Sequence, residues 1–382
     1  MGPADGPNYN HPNPPPCATG PMSKGGDLAL PLYNATLNCG GDPTNCNKQI
    51  VQQPLREIEL DSNYATYLGD FIDQHAAGTG AAPFFAYMAF SHTHVPLFYD
   101  PKFRNSSARN TIFADTTMEL DDTINRIWTS VKNAGIENET LILMTSDNGP
   151  WSVKCDLAGS AGPYQGLYQK QLGGGSTLKD TTWEGGQRVF GVAYWPSKIT
   201  PGIVSDATVS SLDFLPTILA LAGVNLPTDR SYDGVDLAPV LFDGASSVRD
   251  FLFMTDTVGG ARHANVTSVR YKNYKAYTRT YAQEGCTERA GNTTDWPNYL
   301  VFDLTADPGE STPITLPSSV MDIIWSKHHA LLLDINNTFK SITDYSSGTM
   351  IADAPCCNAK NAGCRCIANA INVEGDVDAD AI

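Results

Sequence analysis

Residues 84–96 read FFAYMAFSHTHVP and residues 140–151 read TLILMTSDNGPW; in each, an apolar run is cut off by a short polar stretch. A continuous apolar run of about 4–8 residues bounded by turn formers reads as a strand buried on both faces. Ahead of each lies a stretch with helical spacing. Tyr64, Tyr67, Leu68, Phe71 and Ile72 precede the first, and Leu120, Ile124, Ile127, Trp128 and Val131 precede the second. A third apolar run, Val189 to Trp195, leads to a helical face at Leu212, Leu215, Ile218, Leu219 and Leu221, closed by Gly223. Helices alternating with continuous apolar strands predict an α/β fold: a mainly parallel mixed sheet flanked by helices.

The rhythm changes after residue 245. Phe251 to Met254, Val269 to Tyr281 and Leu300 to Leu304 read as strands of a smaller C-terminal antiparallel sheet, with a packed helix through Ile323, Ile324, Leu331 and Leu332. The expected organisation is therefore an α/β domain over residues 1–245, of which 1–59 are loop-rich and Cys-containing. An α+β subdomain with a Cys-rich tail follows over 246–369, and residues 370–382 form a disordered acidic tail.

With 382 residues, 41% hydrophobic and 17% charged, the chain can bury a sizeable core. A formal net charge of −16 without any Lys/Arg cluster excludes sustained nucleic-acid binding. No run reaches the ~18 consecutive apolar residues of a membrane span. Asn34, Asn105, Asn138, Asn265, Asn292 and Asn336 each open an Asn-x-Ser/Thr glycosylation sequon. Of the nine cysteines, Cys356, Cys357, Cys364 and Cys366 read as a disulfide staple or a small zinc site, and Cys155 could reach Cys286. Sequons and cysteines together point to a secreted or lysosomal protein. Residues 1–16, MGPADGPNYNHPNPPP, carry no signal-peptide pattern, so the expected start is a truncated one.

In open α/β sheets chemistry collects just beyond the carboxyl ends of strands, and three polar stretches fall there. Ser91-His92-Thr93-His94 follows Phe90. On an extended chain its two imidazoles would point the same way, as turn formers beside Pro96, as catalytic groups or as zinc ligands. Asp147-Asn148-Gly149-Pro150 follows Met144 and is either an Asx-type turn or part of a hard-cation site, since carboxylate and amide oxygens suit Ca²⁺ or Mg²⁺. Lys179 opens KDTTWEGGQR after a Gly-rich loop; it is either a solvated side chain or a point cation for an anionic group.

These stretches, with MELDDTINRI, YWPSKITPG, SSLDFLPTILALAG, YDGVDLAPVL and LVFDLTADPGE, resemble the sulfatase family, most nearly the arylsulfatase A type within the alkaline-phosphatase-like superfamily. The resemblance runs from about Leu60 to Glu310 and implies a sulfuric ester hydrolase. By matching motifs, Asp147 and Asn148 would be two ligands of a single Ca²⁺ or Mg²⁺ ion. Lys179 would hold the sulfate, His94 would contact the sulfate and the leaving-group oxygen, and His92 has no matching role. The substrate would be a sulfated small molecule, glycan or lipid, and the resemblance leaves oligomerisation open.

The family nucleophile is a formylglycine made from the Cys of a Cys-x-Pro-Ser-Arg motif, and no cysteine here opens that motif. The expectation is that this segment lies upstream and that the isolated fragment is inactive. Two alternatives remain: a phosphodiesterase or phosphonate hydrolase of the same superfamily, and a non-catalytic secreted binding protein with a degenerate sulfatase fold.

Overall fold

The computed structural model describes residues 32–36, 47–52, 55–76, 82–229, 231–256 and 265–338. The described residues form two compact units that divide between Gly135 and Ile136. The cysteines at 17, 39, 46, 356, 357, 364 and 366, and the acidic tail expected over 370–382, lie outside the described residues.

In the first unit, β1 (Leu32–Thr36) and β2 (Asn47–Gln52) pair antiparallel. α1 (Leu60–Ala76) buries Leu60, Ala65, Gly69 and Ile72, the periodic stripe of an amphipathic helix. It packs on α2 (Ile112–Asn133), which starts at Thr111, whose hydroxyl accepts the Ala114 N–H at 3.2 Å. Close approach of the two helices depends on Gly69, where a Cβ would stand 3.0 Å from Ser130 Oγ. Arg126 of α2 then donates to Ser62 Oγ at 3.3 Å and to Thr66 Oγ1 at 3.1 Å on α1. The buried face of α2 is unusual in being largely polar: Asp115, Thr116, Glu119 and Thr123 lie on it with Val131.

In the second unit, β3 (Ile142–Thr145) is followed by α3 (Glu184–Gln187) and β4 (Gly191–Tyr194); β3 and β4 pair antiparallel, Ile142 opposite Tyr194 and Thr145 opposite Gly191. α4 (Phe214–Leu221) and α5 (Ala238–Phe242) come next. Asp213 joins them from a fully buried position. It accepts the N–H groups of Ser210 at 2.8 Å and Val235 at 2.9 Å and pairs with Arg249. β5 (Phe251–Asp256), β6 (Asn265–Tyr271), β7 (Tyr274–Thr280) and β8 (Thr294–Asp303) make an antiparallel sheet in chain order, crossed by α6 (Ser318–Thr338).

Strand alternation gives this sheet two covered faces. Val269, Ala276 and Val301 pack on Ile324 of α6, whereas Tyr277, Leu300 and Phe302 enclose Trp183, which is 0% exposed.

The mainly parallel mixed sheet read from the sequence is not what the chain forms: all three sheets among the described residues are antiparallel. An apolar run reports burial but says nothing of strand direction, and β4 returns beside β3 in the opposite sense. The run at 84–90 forms no strand. Phe85 is 63% and Tyr87 83% exposed, so the burial on both faces that a parallel sheet requires is missing there.

Cys155 and Cys286 are joined by a disulfide across 131 residues. Closing a loop of that length removes conformational entropy from the unfolded chain, worth about 5 kcal/mol in the loop-closure model. The Cys155→Ser/Cys286→Ser double variant is therefore expected to unfold at lower denaturant, by up to that amount in an equilibrium urea titration. An unchanged midpoint would refute a stabilising role for the bond.

Candidate active site

The polar stretch after Phe90 folds as a turn rather than continuing extended: His94 N–H donates to Ser91 C=O at 3.0 Å. Its two imidazoles consequently part company. His92 is buried, with Nε2 2.9 Å from Glu119 Oε2 and 3.4 Å from Asp61 Oδ2, and its ring lies 4.8 Å from that of Phe98. His94 is exposed, and its Nδ1 stands 2.7 Å from the Val95 carbonyl. A carbonyl can only accept, so Nδ1 carries a proton, and in the neutral ring Nε2 carries the lone pair. The same-side pair of imidazoles that zinc would need is absent. Among the described residues no group of three or more His, Cys, Asp or Glu side chains is arranged to hold a metal ion.

Asp147 is exposed and Asn148 half-buried. Asp147 Oδ1 accepts the Asn148 N–H at 2.8 Å, and Asn148 Nδ2 donates to Gly149 C=O at 2.9 Å, which turns the amide oxygen away from the backbone. One carboxylate and one amide oxygen fit a hard cation in kind, but Ca²⁺ takes about 6–8 oxygens. In number, these two fall short of a complete site.

Lys179 is half-buried, its Nζ 5.2 Å from the centre of the Trp151 ring. Backbone contacts bring its turn against the Asp147 turn: Lys179 N–H donates to Pro150 C=O and Gly149 N–H to Gly186 C=O, each at 3.0 Å. Only glycine permits this approach, because a Cβ at position 149 would lie 1.8 Å from the Gly185 oxygen. Of the sequence-predicted site residues, Asp147, Asn148 and Lys179 belong to the second unit and His94 to the first.

The Lys179 turn is rooted in a buried charge cluster that sequence reasoning missed. Trp183 Nε1 donates to Tyr281 C=O at 3.0 Å, and the adjacent Glu184 carboxylate accepts Lys275 Nζ at 2.7 Å. Glu310 accepts the Glu184 N–H at 2.8 Å and the Tyr277 hydroxyl, and lies 3.8 Å from Lys275 Nζ. Burial raises the Glu184 carboxyl, but Lys275, Arg188 and Arg270 outweigh that, so it sits below its ordinary value. Burial pushes Glu310 up to about 7; Lys275 opposes this and the Glu184 charge adds to it. The two carboxyls share one lysine, and the nearer takes most of its field. Lone Glu and Lys residues in a sequence give no sign of such pairing.

Asp61 and Glu119 were missed as well. A signal for Glu119 exists: Asp115, Glu119 and Thr123 recur every fourth residue on a helix face that should be apolar. Among the sequons, Asn105, Asn138 and Asn292 are exposed, whereas Asn34, Asn265 and Asn336 lie in β1, β6 and α6.

Sequence comparison spans the residues described above. The sulfatase family model matches residues 28–224, and that of the C-terminal region of aryl-sulfatase matches residues 249–366. The chain belongs to the sulfatase family. It is 35% identical over 380 residues to arylsulfatase G of Rattus norvegicus, covering 96% of this chain and 68% of that protein. With arylsulfatase A of Homo sapiens it shares 35% identity over 281 residues, covering 70% and 51%. Among solved structures, the PsFucS1 sulfatase from Pseudoalteromonas sp. superposes with a TM-score of 0.67 at 26% identity, covering 78% of this sulfatase chain and 57% of that one. These matches agree on arylsulfatase-type hydrolysis of sulfuric esters as the chemistry of the family. No helix among the described residues is long and apolar enough to cross a membrane.

Two outcomes are expected. Gly149→Ala forces a Cβ into the Gly185 carbonyl and should destabilise by at least the ~1–3 kcal/mol of ordinary overpacking; a melting curve like that of the parent would contradict the close approach. For Glu310, the folded value of about 7 lies above the ordinary 4.5. Its contribution to stability is therefore full below pH 4.5 and lost as pH rises through 7. Thermal melts of Glu310→Gln from pH 4.5 to 8 should show a shallower decline than the parent, and parallel curves would refute the assignment.

Proposed function

We propose that the protein containing these 382 residues hydrolyses a sulfate ester. Lys179 would hold the sulfate, His94 would contact the sulfate and the leaving-group oxygen, and Asp147 and Asn148 would be two ligands of one Ca²⁺ or Mg²⁺ ion. The observation that carries this reading is the backbone-held pair of turns, in which Lys179 N–H binds Pro150 C=O at 3.0 Å directly beside Asp147 and Asn148. A side chain for an anion and oxygens for a cation thus share one rigid loop pair, the combination that a metal-assisted attack on an anionic ester requires.

As the ester bond breaks, negative charge grows on the sulfate oxygens and on the leaving oxygen. Lys179, fixed through its backbone and resting near the Trp151 ring, offers a cation that need not reorganise. With Nδ1–H donated to Val95 C=O, contact with substrate would fall to His94 Nε2, which when protonated can deliver its proton to the leaving-group oxygen. When bound, the metal ion would supply Lewis-acid neutralisation of charge on the sulfate oxygens. None of the nine cysteines opens the family's Cys-x-Pro-Ser-Arg motif, and Cys155 is disulfide-bonded. The substrate class we infer is a sulfated small molecule, glycan or lipid. Six sequons and a disulfide support an extracytoplasmic protein, secreted or lysosomal.

The test is turnover of a chromogenic aryl sulfate by the natural protein that contains this chain. Lys179→Ala should lower kcat by ~10²–10³ irrespective of added metal. Asp147→Ala should lose activity that raised Ca²⁺ or Mg²⁺ partly restores, because a metal ligand is lost rather than a fixed charge. Parent-like kcat in Lys179→Ala, or turnover of phosphate diesters in place of sulfate esters, would overturn the assignment.

A further inference from the structure

We propose that His92 is a positioning residue: clamped between Asp61 of α1 and Glu119 of α2, it fixes the turn that presents His94. The inference rests on the reading of His94 given above.

The clamp is built from one carboxylate used twice. Glu119 Oε2 lies 2.9 Å from His92 Nε2, and its Oε1 accepts the Asp100 N–H at 3.1 Å, so a single side chain holds both ends of the segment 92–100. Thr116, one turn earlier on α2, sends its single hydroxyl proton to Ile112 C=O at 2.9 Å and only lies against Phe98 C=O at 3.4 Å. Between the two Glu119 contacts, at His92 and Asp100, Val95, Leu97 and Phe98 are buried, leaving the exposed ring of His94 to project from a segment pinned on both sides.

The geometry also defines what His92 does chemically. A carboxylate can only accept, so Nε2 carries a proton toward Glu119. Asp61 Oδ2 faces the same nitrogen at 3.4 Å, and among the described residues neither Asp61 oxygen has a hydrogen-bond partner although both are buried. One N–H cannot point along two directions, so Glu119 takes the hydrogen bond and Asp61 contributes charge alone. Burial lifts the Asp61 carboxyl to about 6; His92 opposes the lift and Glu119 adds to it. Burying a carboxyl without a hydrogen bond costs free energy, and here the buried carboxyl lies against His92, where its charge favours the proton on Nε2.

The distinguishing pair of variants is His92→Leu and His92→Gln, since the Gln amide can place an N–H near the former Nε2 and Leu cannot. In the natural protein, His92→Leu should lower kcat on an aryl sulfate by ~10², the cost of a misplacement of about 1 Å, with KM within about threefold; His92→Gln should recover most of that loss. Independently of turnover, ¹⁵N-histidine NMR of the parent should show His94 in one tautomer protonated at Nδ1, and His92→Leu should show tautomer averaging. A parent spectrum already averaged would overturn the proposal without any variant having to fold. So would an unchanged His94 spectrum in a folded His92→Leu, or equal kcat losses in both variants that track their melting temperatures. A protein that turns over no sulfate ester, yet whose His94 spectrum responds to His92→Leu, would sink the proposed function and leave the positioning intact.

Discussion

Backbone meets backbone where the Gly149 N–H reaches the Gly186 carbonyl at 3.0 Å, and the rest of the second unit is arranged so that this can happen. No side chain fits between the two turns, since a Cβ at 149 would sit 1.8 Å from the Gly185 oxygen. The turns are therefore held by hydrogen-bonding groups that every peptide has, in an arrangement that three glycines alone permit. Side-chain chemistry then radiates outward: Asp147 and Asn148 from one turn, Lys179 from the other.

Such an approach needs a stiff mounting, and the antiparallel sheet provides it. Trp183, two residues before Gly185, is buried between Tyr277, Leu300 and Phe302, and Glu184 is tied to Lys275. Burying four charged or polar groups together is expensive in desolvation, and pairing only offsets it. What the arrangement gains is a defined height and rotation for the Trp183–Gly186 segment above the sheet. The first unit solves the same mechanical problem differently. There the segment from His92 to Asp100 is not stacked on a sheet but staked to a helix by Glu119.

Much of the local structure could be read from residue order. The stripe at Tyr64, Leu68 and Ile72 marked α1, Gly223 with its φ of 70° closed the helix carrying Leu219, and the pair of apolar runs on either side of the Asp147 and Lys179 turns formed β3 and β4. Strand direction could not be read, because Leu141 to Met144 and Val189 to Trp195 would look alike in either sense of pairing. The environment of His92 was hidden for another reason: its partners lie 31 and 27 positions away on two helices, and a histidine followed by Pro four residues later looks like an ordinary turn. Nothing in the order of residues marked Lys275 as buried, yet it is 0% exposed, because alternation assigns a face and not what covers it.

Trp183 has one more consequence. An indole wholly shielded from water and lodged against Tyr277 and Phe302 emits from an apolar setting, whereas Trp325, at 52% exposure, emits from a wet one. Because Trp183 stands in the same short segment as Lys179, lifting of that segment from the sheet would move part of the fluorescence to the red while the fold around it stayed whole. The residue that seats the Lys179 segment against the core is thus also an optical gauge of whether it is seated, readable without any label.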